Sequence, residues 1–191
     1  MTTVSEAFDQ MEFRAVLGRY PTGVVVVAAV VDGEPLGMAM NSFTSVSLDP
    51  PLVAFCAAVT SSTWPRMRRA TGYAMSLLAA EQESTCRTFA RKGANRFDGV
   101  RWSTSPGGHP VLDGALAWLD LDPYGIQPAG DHELVLGLVT RLGTGSDAAP
   151  LVFHRGTFAT LPPPPTELPP RRLDSLDPES PFFSVLAARL R

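Results

Sequence analysis

The chain has 191 residues, of which 45% are hydrophobic and 18% are charged, and its formal net charge is −3. Nucleic-acid binding needs a clustered basic surface, so this charge balance argues against that class. One domain with a sizeable core is expected at this length. The two cysteines, Cys56 and Cys86, are too few for a disulfide framework and indicate a reducing compartment.

The sequence contains no segment that is typical of a secretion signal or a membrane span. The N-terminus lacks a basic region followed by an apolar run, which a signal peptide requires. No stretch approaches the ~18 uninterrupted apolar residues of a membrane helix. We therefore expect a cytoplasmic protein with no membrane and no nucleic acid among its partners.

The N-terminal part of the chain predicts one helix followed by a hairpin. A capping box formed by Thr3 and Glu6 precedes apolar residues at helical spacing. The β-branched run over 24–31 predicts a well-buried strand. Asp32-Gly33 is a typical hairpin turn, and it leads into a second strand over 36–41.

The middle of the chain predicts two further strands and two helices. Apolar runs over 52–58 and 73–78 indicate strands, and Trp64-Pro65 opens a short helix between them. Residues 81–92 have the pattern of a longer helix. Residues 95–114 are rich in glycine and proline, and we expect them to be irregular.

Three more strands are expected, over 115–122, 132–142 and 151–161. About seven strands joined by short turns, without regular crossover helices, favour an antiparallel sheet closed into a barrel. The fold class is therefore mainly β with a few peripheral helices. We assign residues 1–161 to this domain.

The remaining residues, 162–191, differ in composition from the domain. Residues 162–170 contain six prolines and predict a semi-rigid spacer. Beyond it, Ser180-Pro181 starts a short helical pattern with an apolar side. Such a helix either packs on its own domain or its dimer mate, or docks onto a second protein.

Several kinds of catalytic site lack support in the sequence. The three histidines have no paired cysteines or carboxylates at ligand spacing, so we expect no metal. Residues 143–148 match a dinucleotide-binding fingerprint, but Pro150 and the strand pattern after it argue against the helix that the fingerprint requires. No serine-hydrolase elbow is present.

Two polar clusters remain as candidate binding sites. The first comprises residues 37–47 and 61–65, whose hydroxyls and backbone N–H groups can hold a phosphorylated ligand or can simply form turns. The start of the helix at Trp64-Pro65 is a second possible anion site. The second cluster pairs Arg91-Lys92 with Arg96-Phe97, and it is either a solvated face or a specific site. Lys92 is the sole lysine of the chain.

Six sequence segments occur in one order and together resemble the short-chain flavin reductase family, the reductase components of two-component flavin-dependent monooxygenases. The resemblance covers residues 8–161. Ala39 and Met40 depart from the family pattern, in which many members have threonine and alanine. That departure removes a side-chain hydrogen bond at 39 but leaves backbone contacts possible. The six segments are 20–24 (YPTGV), 37–51 (GMAMNSFTSVSLDPP), 61–65 (SSTWP), 89–93 (FARKG), 130–132 (GDH) and 154–156 (HRG).

The resemblance implies a homodimer whose fold is an antiparallel Greek-key split β-barrel. It also implies a flavin whose phosphate and ribityl chain meet the Met38–Ser42 segment, the Ser61–Trp64 loop and Lys92. The nicotinamide cofactor would lie over the flavin, near His132 and the Phe153–Gly156 segment.

The implied activity is NADH-dependent reduction of free flavin, with FAD preferred over FMN. Reduced flavin would then diffuse to a partner monooxygenase. His132 is the candidate catalytic residue that positions the nicotinamide, although a strand-end histidine can also make only a local hydrogen bond. The candidate cofactor-binding residues are Met38, Ala39, Met40, Asn41, Ser42, Ser45, Phe55, Cys56, Ser61, Ser62, Thr63, Trp64, Arg91, Lys92, Phe97, His132, Phe153, His154, Arg155 and Gly156.

Two alternatives share the first polar cluster. A flavin storage or carrier protein needs neither His132 nor the His154-Arg155-Gly156 segment. An oxidase would instead retain its flavin through turnover. Similarity to actinomycete secondary-metabolite reductases, with the arginine- and alanine-rich composition, suggests antibiotic biosynthesis as the setting.

Overall fold

A computed structural model describes residues 8–93 and 95–161, and these residues form mainly antiparallel β structure with a few short helices. The predicted fold class is confirmed at that level. The predicted capping box at Thr3 and Glu6 and the predicted spacer and helix over 162–191 lie outside the described residues. The described part of α1 (Gln10–Leu17) begins after Asp9, whose carboxylate accepts a hydrogen bond from the Glu12 amide at 2.7 Å.

The other helices are α2 (Trp64–Met67) and α3 (Glu83–Ala90), with a 3-10 turn over Ala80–Gln82. The described strands are β1 (Thr22–Gly23), β2 (Val25–Val31), β3 (Glu34–Met40), β4 (Thr44–Leu48), β5 (Pro51–Ala58), β6 (Tyr73–Leu77), β7 (Trp102–Thr104), β8 (Pro110–Leu112), β9 (Ala117–Ala129), β10 (His132–Thr144), β11 (Leu151–His154) and β12 (Thr157–Thr160).

Seven strands form one antiparallel sheet in the order β3-β2-β6-β9-β10-β5-β4. Hairpins join β2 to β3, β4 to β5 and β9 to β10. Strands β1, β11 and β12 form a second sheet, and β7 pairs with β8. Within the described residues β3 and β4 are the edges of the large sheet, so its strand pairing is not that of a closed barrel.

Strand β2 is buried on both faces, as its run of valines predicts. Val25 and Val27 point into a core cluster that contains the rings of Phe55, Trp64 and Tyr73. Val26 packs on the other face, in a cluster that α3 covers with Cys86 and Phe89. Because alternate side chains of a strand point to opposite faces, one strand supports both cores.

The β9–β10 hairpin is longer than the sequence predicted, since each of its strands has 13 residues. The prediction ended this strand at Asp122, but β9 continues through Pro123 to Ala129. Proline cannot donate to a sheet ladder. The structure accommodates Pro123 opposite Gly137, where a register shift interrupts the pairing. Gly130, at φ +68°, forms the turn before His132.

Two other predictions need correction. Residues 151–161 form a hairpin rather than one strand, because Arg155 (φ 49°) and Gly156 (φ 79°) turn the chain. The stretch over 95–114 contains the short β7–β8 hairpin. In the described part of the chain, the helices fall short of the length and hydropathy that a membrane crossing demands.

Candidate functional site

The surface contains two clefts at the two ends of strand β3. The first, here called the arginine cleft, has a volume of about 610 Å³ and is lined by Glu34, Pro35, Leu36, Gly37, Ser62, Thr63, Arg66, Gly93, Asn95, Arg96 and Phe97. The second, here called the histidine cleft, has a volume of about 1000 Å³ and is lined by Gln10, Phe13, Arg14, Leu17, Gly18, Tyr20, Thr22, Asn41, Ser42, Asp131, His132, Phe153, Arg155 and Gly156.

Two guanidinium groups line the arginine cleft, and the carboxylate of Glu34 in the same cleft offsets one of their charges. Arg96 donates a hydrogen bond from Nη1 to the carbonyl of Gly37 at 2.6 Å, while its buried Nε has no partner. Burial lowers the pKa of Arg96, yet arginine remains charged in proteins. Arg66 pairs with Glu34 at 2.5 Å, and both side chains of this pair are exposed. An anion is therefore the ligand that this cleft suits best.

The Ser61–Trp64 loop, residues 61–64, forms one wall of the arginine cleft. The Ser61 hydroxyl accepts hydrogen bonds from the amides of Thr63 (3.2 Å) and Trp64 (3.1 Å), and it contacts Met38 Sδ at 3.6 Å. These bonds occupy the amides of Thr63 and Trp64 at the start of α2. The separate anion site that the sequence suggested there stays a prediction. The hydroxyl-bearing residues that line the cleft are Ser62 and Thr63.

His132 lies in the histidine cleft with its imidazole fixed by a carboxylate. Nδ1 lies 2.7 Å from Asp131 Oδ1, and the His132 side chain is 42% exposed. The hydrogen bond with His132 lowers the pKa of Asp131, so that carboxylate stays ionised to more acidic pH than usual. Nε2 of His132 is therefore the ring nitrogen available to a ligand.

The β11–β12 turn and α1 complete the histidine cleft. The Arg155 amide donates to the carbonyl of Gly18 at 2.9 Å, which joins this turn to the end of α1. Phe13 and Leu17 of α1 line the cleft beside Phe153 of β11. The cleft thus combines apolar side chains with one imidazole and with the charged side chains of Arg14, Arg155 and Asp131. Its apolar part suits a flat aromatic ligand.

The chain between Glu34 and Ser42 connects the two clefts. Gly37 lines the arginine cleft and Asn41 lines the histidine cleft. At the rise of an extended strand, these two residues are about 13 Å apart. The Ser42 hydroxyl is already engaged, because it accepts from the Cys56 amide (2.9 Å) and donates to the Cys56 carbonyl (3.2 Å). Ser42 therefore fixes the end of this segment against β5.

The structure brings nine of the candidate cofactor-binding residues into the two clefts. Those of the arginine cleft are Ser62, Thr63 and Phe97, and those of the histidine cleft are Asn41, Ser42, His132, Phe153, Arg155 and Gly156. Met40, Phe55 and Trp64 are buried in the core. The other candidates that line neither cleft are Met38, Ala39, Ser45, Cys56, Ser61, Arg91, Lys92 and His154.

Arg91 and Lys92 are exposed at the end of α3, directly before Gly93 of the arginine cleft. The candidate residues derived from the sequence did not include Arg66 and Arg96, although both line that cleft. Arg66 directly follows the family segment 61–65, and that position was the available signal. Arg96 was noted in the second polar cluster, but its contact with Gly37 joins residues 59 positions apart. Sequence spacing does not reveal such a contact.

Comparison with known proteins supports a common family. Residues 17–162 match the family described as "Flavin reductase like domain". The chain is 44% identical over 156 residues to a flavin reductase of Pseudomonas putida, covering 81% of this chain and 92% of that protein. It is 39% identical over 170 residues to the reductase subunit HsaB of a flavin-dependent monooxygenase of Rhodococcus jostii, covering 89% and 87% of the two chains.

Other relatives differ in the flavin that their names specify. An NADH:FMN oxidoreductase of Rhodococcus erythropolis is 40% identical over 152 residues, which are 77% of this chain and 79% of that protein. A solved structure of the NADH:FAD oxidoreductase SgcE6 of Streptomyces globisporus, in complex with NAD and FAD fragments, superposes with a TM-score of 0.78. It is 35% identical and covers 85% of this chain and 98% of its own.

Proposed function

Because this chain belongs to the flavin reductase family over residues 17–162, we propose that it catalyses NADH-dependent reduction of free flavin, with FAD preferred over FMN. The observation that carries the proposal is the position of the two clefts on a single continuous segment. One cleft has Arg96 beside Ser62 and Thr63, and the other has the His132 imidazole beside Phe13 and Phe153. A flavin has the same order of parts, because its ribityl chain separates a phosphate from an aromatic ring.

The residues of the two clefts suit these ligands. In the arginine cleft, Arg96, Arg66 and the hydroxyls of Ser62 and Thr63 would hold the flavin phosphate, and the unpartnered Nε of Arg96 is a donor left without an acceptor. Lys92, on the adjacent surface, would add positive charge. In the histidine cleft, Asn41, Ser42 and Phe153 would contact the flavin ring and ribityl chain.

The apolar residues of the arginine cleft support the preference for FAD. Pro35, Leu36 and Phe97 form an apolar wall beside the two arginines. An adenine ring of FAD would pack against that wall, whereas FMN has no such group. The name of the SgcE6 relative specifies FAD, and the name of the Rhodococcus erythropolis relative specifies FMN. The first assay therefore compares the two flavins.

His132 would position the nicotinamide through its Nε2, while Asp131 holds the imidazole in one orientation. When both ligands are bound, they supply the chemistry, which is transfer of a hydride from the nicotinamide to the flavin. The protein then contributes binding and orientation, and the two clefts require no general acid or base for the transfer itself. Arg155 and Gly156 would border the nicotinamide.

We extend the proposal to the architecture and the partners of the protein. The large sheet with the β1-β11-β12 sheet would be the Greek-key split barrel of the family, in a domain of residues 1–161, and the chain would form a homodimer. The helix α1 supports a dimer because none of its residues is buried and Met11, Val16 and Leu17 are more than half exposed. Reduced flavin would diffuse to a monooxygenase, as the name of the HsaB relative suggests.

The decisive experiment follows NADH absorbance with purified protein, with and without added FAD or FMN. We expect oxidation that saturates with added flavin, and a lower KM for FAD than for FMN. Flavin binding without oxidation of NADH or NADPH would contradict the proposal and favour a storage or carrier protein. Flavin that stays bound through gel filtration of dilute protein would favour an oxidase. Sedimentation velocity of the same sample tests the dimer.

A further inference from the structure

Glu133 follows His132 on β10 and points to the other face of the sheet. Neighbouring residues of a strand project to opposite faces, so the imidazole lies in the histidine cleft while the Glu133 carboxylate lies toward α2. The Glu133 side chain is only 14% exposed. A carboxylate this buried is costly unless it is paired, so its partners determine what it does.

The two oxygens of Glu133 bind two residues of the same short segment. Oε2 accepts a hydrogen bond from Trp64 Nε1 at 2.6 Å, and Oε1 lies 3.1 Å from Arg68 Nη1. Trp64 begins α2 and Arg68 directly follows its last residue. One carboxylate therefore holds both ends of this helix against β10. Bonds of this kind, with an ionised acceptor, are among the stronger hydrogen bonds in proteins.

The helix α2 depends on such external contacts because four residues are too few for a stable helix. Trp64 is 2% exposed and stacks near Tyr73 in the core. Its amide also donates to the Ser61 hydroxyl, so the indole anchors the Ser61–Trp64 loop as well as the helix. The position of Ser62 and Thr63 in the arginine cleft thus depends on where the Trp64 indole is held.

We propose that Glu133 is a positioning residue that fixes the Ser61–Trp64 loop and thereby sets the affinity for flavin. It touches neither cleft, and it acts through Trp64 and Arg68. Its neighbour His132 belongs to the histidine cleft. The start of β10 would therefore position both the Ser61–Trp64 loop, through Glu133, and the nicotinamide, through His132. This inference rests on the proposed function.

The first test compares Glu133→Gln with the wild type in steady-state kinetics. Glutamine keeps an acceptor for the indole but loses the charge that binds Arg68, so the loop is held less tightly. We expect the KM for flavin to rise about three- to tenfold, because the pairing with Arg68 is lost and the bond to the indole no longer has a charged acceptor. The kcat at saturating flavin and the KM for NADH should stay within about twofold of the wild type.

The matched control is Glu83→Gln, since Glu83 also pairs with an arginine, Arg87, at 2.7 Å. That pair lies on α3 and lines neither cleft, so the kinetics should be unchanged. A second variant, Trp64→Phe, removes the indole donor. If the two groups act as one unit, the double variant Glu133→Gln/Trp64→Phe should raise the KM for flavin no further than the larger single effect.

Unfolding in urea separates a positioning role from a purely structural one. If Glu133→Gln lowers the midpoint of unfolding but leaves the KM for flavin unchanged, the positioning role is wrong. If that variant fails to fold, Arg68→Gln replaces it, because the Arg68 side chain is 53% exposed. This variant should raise the KM for flavin about threefold, and an unchanged KM would overturn the inference. A wild type that oxidises no NADH with added flavin would instead contradict the proposed function.

Discussion

Gly37 and the ring of Phe89 approach so closely that no side chain fits between them. A Cβ at Gly37 would lie 2.6 Å from Phe89 Cε1 and 3.3 Å from Phe97 Cζ. The rings of Phe89 and Phe97 are 1% and 7% exposed, so neither can move aside into solvent. This contact sets the distance between β3 and α3. It therefore also sets the position of Gly37 in the arginine cleft.

We therefore expect Gly37→Ala to destabilise the protein by about 1–3 kcal/mol, as is typical when a packed core receives an extra methyl group. The measurement is the free energy of unfolding in urea. Gly23→Ala is the matched control, because a Cβ there meets no atom within 4 Å and should cost much less. Equal stability of the Gly37 variant and the wild type would show that the two rings adjust freely.

Arg96 gives a prediction about ligand affinity. Arg96→Gln removes a cation from the arginine cleft together with the hydrogen bond to Gly37. We expect the KM for FAD to rise about tenfold or more, with a smaller change in kcat, because the proposed bond from Arg96 to the flavin phosphate would be lost. The dependence of the KM on salt should also become weaker, since fewer charges attract the ligand.

The control for Arg96 is Arg101→Gln, an exposed arginine that lines neither cleft. It changes the net charge by the same amount, so it reports any effect of overall charge on flavin binding. If both variants raise the KM for FAD equally, the phosphate is attracted by the general field and not by Arg96 itself.

Local pattern was enough to predict most strands of the large sheet, but it missed the β11–β12 turn, whose Arg155 and Gly156 line the histidine cleft. The valines of β2 are buried on both faces, and the Asp32-Gly33 turn produces the β2–β3 hairpin as expected. The pattern failed where tertiary pairing overrides it. The predicted strand ended at Asp122, yet β9 continues through Pro123, which pairs with Gly137 of β10 at a register shift.

The candidate site was predictable in outline, because the Gly-Asp-His and Ser-Ser-Thr-Trp-Pro motifs identify segments of the two clefts. The hydrogen-bond partner of each hydroxyl group was not predictable. Ser61 and Ser62 are neighbours of the same type, but Ser61 bonds to the amides of its own loop while Ser62 lines a cleft. Glu133 and Arg96 likewise depend on partners far away in sequence, which no local pattern encodes.

The pair formed by Asp131 and His132 gives a prediction about the nicotinamide. Asp131→Asn keeps the size of the side chain but removes the carboxylate that lies 2.7 Å from Nδ1. Asparagine keeps an acceptor for Nδ1–H, but without the carboxylate charge the bond holds the imidazole less tightly. We therefore expect the KM for NADH to rise about fivefold while the KM for flavin changes little. Both constants come from initial rates of NADH oxidation.

Asp147→Asn is the control for this variant, because Asp147 is exposed and lines neither cleft. Because hydrogen bonding lowers the pKa of Asp131, the wild-type pair persists as the pH falls through the usual range of a carboxylate. An unchanged KM for NADH in the Asp131→Asn variant would show that the orientation of His132 does not depend on the carboxylate of Asp131.

His109 lies outside both clefts, and its burial predicts how stability depends on pH. The residue is 9% exposed, and its Nδ1 accepts from the Val30 amide at 3.5 Å. Desolvation lowers the pKa of His109, and the charges of Asp120 and Asp122 offset only part of that effect. Protonation would add a buried charge and remove the acceptor for Val30.

Because the pKa of His109 is lower in the folded chain than in the unfolded one, the unfolded chain binds a proton first as the pH falls. The contribution of neutral His109 to the free energy of unfolding is therefore complete above about pH 6.5, the usual pKa of histidine, and is lost progressively below that pH.

His109→Asn keeps an acceptor near the position of Nδ1 but cannot be protonated. We expect this variant to be less stable at pH 7.5 and to lose less further stability between pH 7 and pH 5.5. Urea unfolding at several pH values measures both effects. A His109→Asn slope equal to that of the wild type would assign the acid sensitivity to other groups.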